Sequence, residues 1–163
     1  MAEVLVVYFS RTGSTERLAA TLAAQLGADL DQITPEASYA GLRGYLRGVW
    51  HSLRRRAPAV NCDRDPATYA LVIVGTPIWA GRLSAPVRSY LTRFGGRIGA
   101  VAGFWVSGSG APYRAVADEI EALTGRAPMA SASFAQREVG HAAAEAKLGK
   151  LVGAIGAPRR KAA

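Results

Sequence analysis

Four hydroxyl residues and one glycine crowd into the six positions Ser10-Arg11-Thr12-Gly13-Ser14-Thr15, between an apolar run and a helical pattern. Binding a phosphate takes many donors aimed at one point. A turn of this composition supplies hydroxyls and backbone N–H groups, and a helix starting near Ser14 adds the positive end of its dipole. An ordinary helix cap by Thr12 or Ser14 needs only one such residue, so the surplus points to an anion site. The turn is not a Walker loop, because Gly-x-x-x-x-Gly-Lys is absent and the first lysine is Lys147. It also lacks the glycine spacing of a dinucleotide fingerprint. Gly108 and Gly110 offer two glycines, but Tyr113 stands in the place of the third. Dedicated NAD and nucleoside triphosphate sites are therefore disfavoured.

The elements that must position this turn follow from apolar periodicity. Residues 4–9 form a continuous β-branched and aromatic run, the pattern of a strand buried on both faces of a parallel sheet. Leu18, Leu22 and Leu26 then recur every fourth residue and predict a helix over 15–27, closed by Gly27. A short strand over 29–33, a basic amphipathic helix over 39–56 and a strand over 71–74 ending at Gly75-Thr76-Pro77 come next. A helix over 85–94 admits Pro86 in its first turn. Strands over 100–106 and 129–134 alternate with helices marked by Val116, Ile120 and Leu123 and by Leu148, Leu151, Val152 and Ile155. Strict strand–helix alternation implies a parallel sheet with helices on both faces. Ligands of such sheets bind beyond the carboxyl ends of the strands. Three loops of unusual composition lie at that edge: 10–15, 76–82 and 107–113.

Val6-Val7-Tyr8-Phe9-Ser10-Arg11-Thr12-Gly13-Ser14-Thr15-Glu16-Arg17-Leu18-Ala19 resembles the signature of the flavodoxin-like family. Gly75-Thr76-Pro77-Ile78-Trp79-Ala80-Gly81-Arg82, followed by Ala85-Pro86-Val87, resembles the family's ring-side loop of the Pro-Ile-Trp-x-Gly type. Ser107-Gly108-Ser109-Gly110 matches the position of its other ring-side loop. The resemblance spans nearly the whole chain. It implies a flavodoxin-like three-layer α/β/α sandwich with a five-stranded parallel sheet of order 2-1-3-4-5. It also implies flavin mononucleotide (FMN) as cofactor. Ser10, Arg11, Thr12, Gly13, Ser14 and Thr15 would then surround the phosphate, with Arg11 the least required of them. Thr76, Pro77, Ile78, Trp79, Ala80, Gly81, Ser107, Gly108, Gly110 and Tyr113 would surround the ring, with Trp79 or Ile78 over a face and Tyr113 a candidate for the other. In the family one peptide of the Trp79–Gly81 segment flips as the flavin takes up an electron, and Gly81 is the residue that would make this cheap.

The resemblance implies a protein that passes electrons through bound flavin, with a redox partner protein or NAD(P)H supplying them. An NAD(P)H-dependent quinone or FMN reductase on the same fold is the alternative, and a non-redox binding module that has lost flavin is a third. No pair of catalytic carboxylates or Ser/His/Asp triad can be argued from the order of residues. His51 and His141 have no metal-binding spacing, and Cys62 is the lone cysteine, which excludes internal disulfides.

The chain departs from an acidic flavodoxin in charge. Its 163 residues carry a formal net charge of +8. Arg82 sits in the ring-side loop, and no carboxylate occurs from Thr76 to Phe94. Arg82 should therefore ease formation of the anionic reduced flavin. Arg43, Arg47, Arg54, Arg55 and Arg56 decorate the 39–56 helix, a solvated face or a docking face for an acidic redox partner. Nucleic acid is disfavoured, since no aromatics alternate with these arginines and no binding motif is present. On the same helix Leu42, Leu46, Val49 and Leu53 form a stripe, with Tyr45 and Trp50 beside it. That stripe is expected to face the core, which disfavours binding to a membrane surface. No apolar run reaches the ~20 residues of a membrane span, and a cytoplasmic location is expected. The expected organisation is a single domain over 1–157 and a basic, frayed tail over 158–163.

Overall fold

The computed structural model describes residues 2–36, 41–53 and 59–156. Side chains within the second helix at Tyr45, Gly48, Val49 and 51–53 fall outside that description, as do Arg54, Arg55, Arg56 and the 158–163 tail.

The first strand, β1, is Val4–Tyr8, followed by helix α1, Ser14–Leu26. Strand β2, Asp29–Gln32, and the two-residue β3, Thr34–Pro35, lead to helix α2, Gly41–Leu53. Then come β4, Val60–Asn61, and the long β5, Leu71–Trp79, which turns back on itself through β6, Arg82–Leu83. Helix α3 (Ala85–Phe94), strand β7 (Val101–Ser107), helix α4 (Arg114–Thr124), strand β8 (Ser131–Ala135) and helix α5 (Ala142–Ile155) complete the order. The main sheet runs β2-β1-β5-β7-β8, all parallel, which is the expected 2-1-3-4-5 order once the small strands are set aside. Two short antiparallel pairs were not legible in the sequence: β3 with β4, and β6 with the end of β5.

The continuous apolar run of β1 is explained by burial on both sides. Leu5, Val7 and Phe9 enter one core with Val72, Val74, Tyr90, Trp105 and Ile120. Val4, Val6 and Tyr8 enter the other with Leu18, Leu22, Ile73, Phe104, Phe134 and Leu148. Helices α1 and α5 thus cover one face, and α3 and α4 cover the opposite one. At roughly 25 cal/mol per Å² of apolar surface removed from water, these cores dominate the folding energy.

Strand β5 passes beyond Gly75, where the sequence suggested its end. Val72 N–H donates to Ala100 on the β7 side, and the Gly75 carbonyl accepts from Phe9 on the β1 side. Alternation then aims Pro77 to the β1 side, where β1 has already stopped, so its missing N–H costs no ladder bond. The chain therefore continues through Ile78 and Trp79 before reversing.

Helix α2 corrects a second expectation. Leu42 and Leu46 do not enter the core; they stand in solvent, as does much of Trp50, while Gly44 is buried. The helix packs against α3, β5 and β6. Periodicity specified an apolar stripe but not the side to which it turns.

At the outer edge of the sheet, β8 pairs only with β7 among the described residues. Its outward groups are met by side chains: the Ala135 N–H donates to Glu138 Oε2 at 3.1 Å, and Lys147 Nζ donates to the Ser133 carbonyl at 3.2 Å. Glu138 and Lys147 are themselves paired at 2.7 Å.

Candidate functional site

A cleft of about 270 Å³ opens at the carboxyl ends of β1, β5 and β7. Ser10, Arg11, Thr12, Ser14 and Thr15 line one wall, Pro77, Ile78 and Trp79 a second, and Val106, Ser107, Gly108 and Gln136 the remainder. The topology thus brings together ten of the sequence-predicted residues from three separate loops. Among the described residues no carboxylate lines the cleft, and Arg11 does, so its electrostatics suit an anion.

The 10–15 turn is shaped by its own side chain. Ser10 Oγ accepts the Gly13 N–H at 3.0 Å, and Gly13 takes a left-handed conformation as the N-cap of α1. Gly13, as N-cap, has no side chain with which to cap that helix. The first-turn N–H groups of an uncapped helix remain in need of an acceptor. Here that end of α1 faces the cleft, flanked by the hydroxyl residues Thr12, Ser14 and Thr15.

The second wall is a hairpin. Ile78 pairs with Leu83, and Trp79 with Arg82, leaving Ala80-Gly81 as a two-residue turn. Both turn residues have positive φ, 52° and 74°, as a type I′ turn requires. Glycine accepts this without cost, whereas alanine is strained there. Ala80 and Gly81 do not line the cleft; they form the tip beyond it. The base of the hairpin is tied by Thr76, whose hydroxyl donates to the Pro77 carbonyl at 2.8 Å and accepts the Ser84 N–H at 3.3 Å. Thr76 is fully buried and its side chain is spent on this tie. Trp79 is also nearly buried, edge-on to Phe9 at 5.5 Å between ring centroids, so it belongs to the core as well as to the cleft wall.

Two residues that sequence reasoning missed hold the hairpin from outside. Arg88 on α3 and Glu119 on α4 form an ion pair with side chains 5% and 13% exposed. Arg88 Nη2 donates to the Leu83 carbonyl at 3.2 Å, and the Leu83 N–H donates to Glu119 Oε2 at 3.3 Å.

The third loop is tied internally. Ser107 Oγ accepts the Gly110 N–H at 2.8 Å, and Trp105 Nε1 donates to the Pro112 carbonyl at 2.9 Å. Gly110 sits where a Cβ would fall 2.8 Å from the Ala135 nitrogen, so its need is close approach to β8. Tyr113 has φ 43° and its hydroxyl lies 3.2 Å from Ser109 Oγ; neither Gly110 nor Tyr113 lines the cleft. Gln136 and Val106 are lining residues that the sequence did not single out. Gln136 follows the end of β8, so inspecting every carboxyl-edge loop would have found it.

The chain belongs to the flavodoxin family, whose model matches residues 3–132. A stretch of 104 residues is 34% identical to a protein of Nitrobacter winogradskyi named NAD(P)H dehydrogenase (quinone), covering 59% of this chain and 48% of that protein. The chain spans about half the length of the curated relatives it matches. Among solved structures, a flavoprotein from Lactobacillus acidophilus in complex with FMN superposes with a TM-score of 0.68 at 19% identity, covering 80% of this chain and 92% of that one. A flavoprotein from Bacteroides eggerthii superposes with a TM-score of 0.67 at 23% identity, covering 93% and 98% respectively. The fold is therefore that of the flavodoxin-like flavoproteins. Among the described residues no helix is long and apolar enough to cross a membrane, and no cluster of metal-ligating side chains occurs.

Proposed function

We propose that the cleft holds FMN and that the protein transfers electrons through it. The observation that carries this reading is the uncapped N-terminus of α1, which opens with Ser10, Thr12, Ser14 and Thr15 into the same cleft as Ile78 and Trp79. Backbone N–H groups and hydroxyls there would hold a phosphate, as helix N-termini do for anions generally. Ile78, Trp79, Ser107 and Gly108 would flank the ring, the first two with apolar surface and the last two through the backbone. When bound, FMN supplies one- and two-electron redox chemistry. This chain's part is to orient the cofactor, keep water from one side of it and set the local charge. The Lactobacillus acidophilus relative in complex with FMN supports the choice of cofactor.

Direct oxidation of NAD(P)H with reduction of a quinone is the second reading. It is favoured by the name of the Nitrobacter winogradskyi relative. An electron-carrier role, served by a redox partner protein, is the first, and it is supported by the match to the flavodoxin family.

Titrating FMN into the apoprotein while following flavin fluorescence tests the cofactor. Saturable quenching is expected, and a Ser14→Ala, Thr15→Val double variant, which removes two hydroxyls lining the cleft, should weaken it at least about tenfold, the loss of one to two charge-assisted hydrogen bonds. Absence of saturable binding contradicts the proposal. Anaerobic mixing of the FMN-loaded protein with NADPH then separates the two readings. Rapid bleaching by NADPH alone identifies a reductase, and bleaching only when a reductase protein is added identifies a carrier.

A further inference from the structure

An apolar stripe wholly consumed by the core would leave α2 nothing to offer a membrane surface, but its members Leu42 and Leu46 stand outside the core. Leu42, Leu46 and Trp50 lie every fourth residue, hence in one row along the helix. They are 74%, 58% and 42% exposed. Arg43 and Arg47, one position on from Leu42 and Leu46, make the adjoining row and are exposed too. The side of the helix carrying Gly44 meets the protein instead. No carboxylate occurs from residue 37 to residue 62, whereas Arg54, Arg55 and Arg56 continue the positive charge along the sequence.

We infer that α2 docks the protein on an anionic lipid bilayer, with Leu42, Leu46 and Trp50 inserted at the headgroup boundary and Arg43 and Arg47 among the lipid phosphates. A helix with leucine and tryptophan on one row and arginine on the next is the composition of an interfacial helix. Each member of the row is exposed, and a bilayer accepts exposed apolar side chains without supplying a groove of matching shape. Charge agrees with the choice, since the chain carries +8 overall and anionic headgroups attract each basic residue brought near them. Because α2 packs on β5 and β6, docking through it sets the hairpin wall of the cleft close to the lipid surface. The inference is independent of the flavin reading, and its test needs no flavin.

The test is sedimentation of the full chain with vesicles of phosphatidylcholine alone and of phosphatidylcholine mixed with phosphatidylglycerol, with tryptophan emission recorded in parallel. Of the three tryptophans, Trp79 and Trp105 are 4% and 2% exposed, so a change on binding reports Trp50. Expected are partition to the anionic vesicles that declines with salt, and a blue shift of emission that Trp50→Phe abolishes. Replacing Arg43 and Arg47 together by alanine should weaken partition about 30-fold, at the energy that each basic residue contributes near an anionic surface. Replacing Leu42 and Leu46 by serine should weaken it about tenfold or more. All four positions are exposed, and far-ultraviolet circular dichroism checks that each variant is folded. Three results overturn the inference: no partition to anionic vesicles, partition indifferent to Leu42 and Leu46, or partition without a blue shift. Leucine-dependent retention on polyglutamate, with no vesicle binding, overturns it in favour of an acidic polypeptide partner.

Discussion

Arg88 donates through Nε to Glu119 across the packing of α3 on α4, and the two side chains grip the same residue, Leu83, one by its carbonyl and the other by its N–H. The pair therefore does more than join two helices. It fixes the return strand of the hairpin whose outgoing strand carries Ile78 and Trp79. Two elements behind the sheet thus determine where one wall of the cleft stands.

Removing one partner of this pair should be costly, because the other remains charged and buried. Glu119→Ala is expected to lose about 3–5 kcal/mol of stability, and Arg88→Met combined with Glu119→Leu to recover much of it. Urea unfolding of the three proteins measures both. A single-variant loss below about 1 kcal/mol would show that the pair is not held as the structure has it.

The hairpin tip stores strain in Ala80. Ala80→Gly should raise stability by about 0.5–1 kcal/mol, the relief of a left-handed alanine less the entropy glycine adds to the unfolded chain. Gly81→Ala should lower it by about 1 kcal/mol. Thermal melts of the apoprotein are sufficient, and equal effects of the two substitutions would contradict the turn geometry.

Arg82, half-buried on β6 opposite Trp79, bears on the charge near the proposed flavin. If FMN sits in the cleft, Arg82→Ala should make the second electron harder to add, since the reduced cofactor gains negative charge. A shift on the order of tens of millivolts to more negative potential is expected in a redox titration of the loaded protein. An unmoved potential rules out a contribution from this arginine.

Acid should act on the last strand. The carboxyl of Glu138 is held below its ordinary value of 4.5 by its hydrogen bond from Lys147 and by the Ala135 N–H. A depressed carboxylate contributes stability that is present above its unfolded value and lost as pH falls through the folded one. Glu138→Gln should therefore flatten the loss of stability between about pH 5 and pH 3. Denaturant midpoints at several pH values in that window give the comparison, and parallel slopes would contradict it.

The layered sheet was legible because both its faces are buried. A strand such as 4–8 then has no polar residue to spare, and the helices between strands show their own period. The hydroxyl-rich turn and the Ile78–Trp79 segment were legible because their composition exceeds what caps and turns require. Gln136 was not, since a lone polar residue after a strand has no pattern. The Arg88–Glu119 pair was not, because its members are 31 residues apart and meet only through the packing of α3 on α4. Thr76 was read as a ring-side residue from its loop, while its burial assigns its hydroxyl to Ser84. The direction of α2 was hidden for a different reason. Gly44 allows close packing on the side away from Leu42 and Leu46, and amphipathic periodicity does not record which side that is.

The occupied edge of β8 has a consequence for the molecule at high concentration. A bare outer strand is a template on which a neighbour's strand can add, and repeated addition makes fibrils. With Glu138 and Lys147 engaged on Ala135 and Ser133, an incoming strand must first break a charged pair to find a donor and an acceptor. Growth of the sheet from that end of β8 is thereby hindered by two side chains that take no part in the cleft.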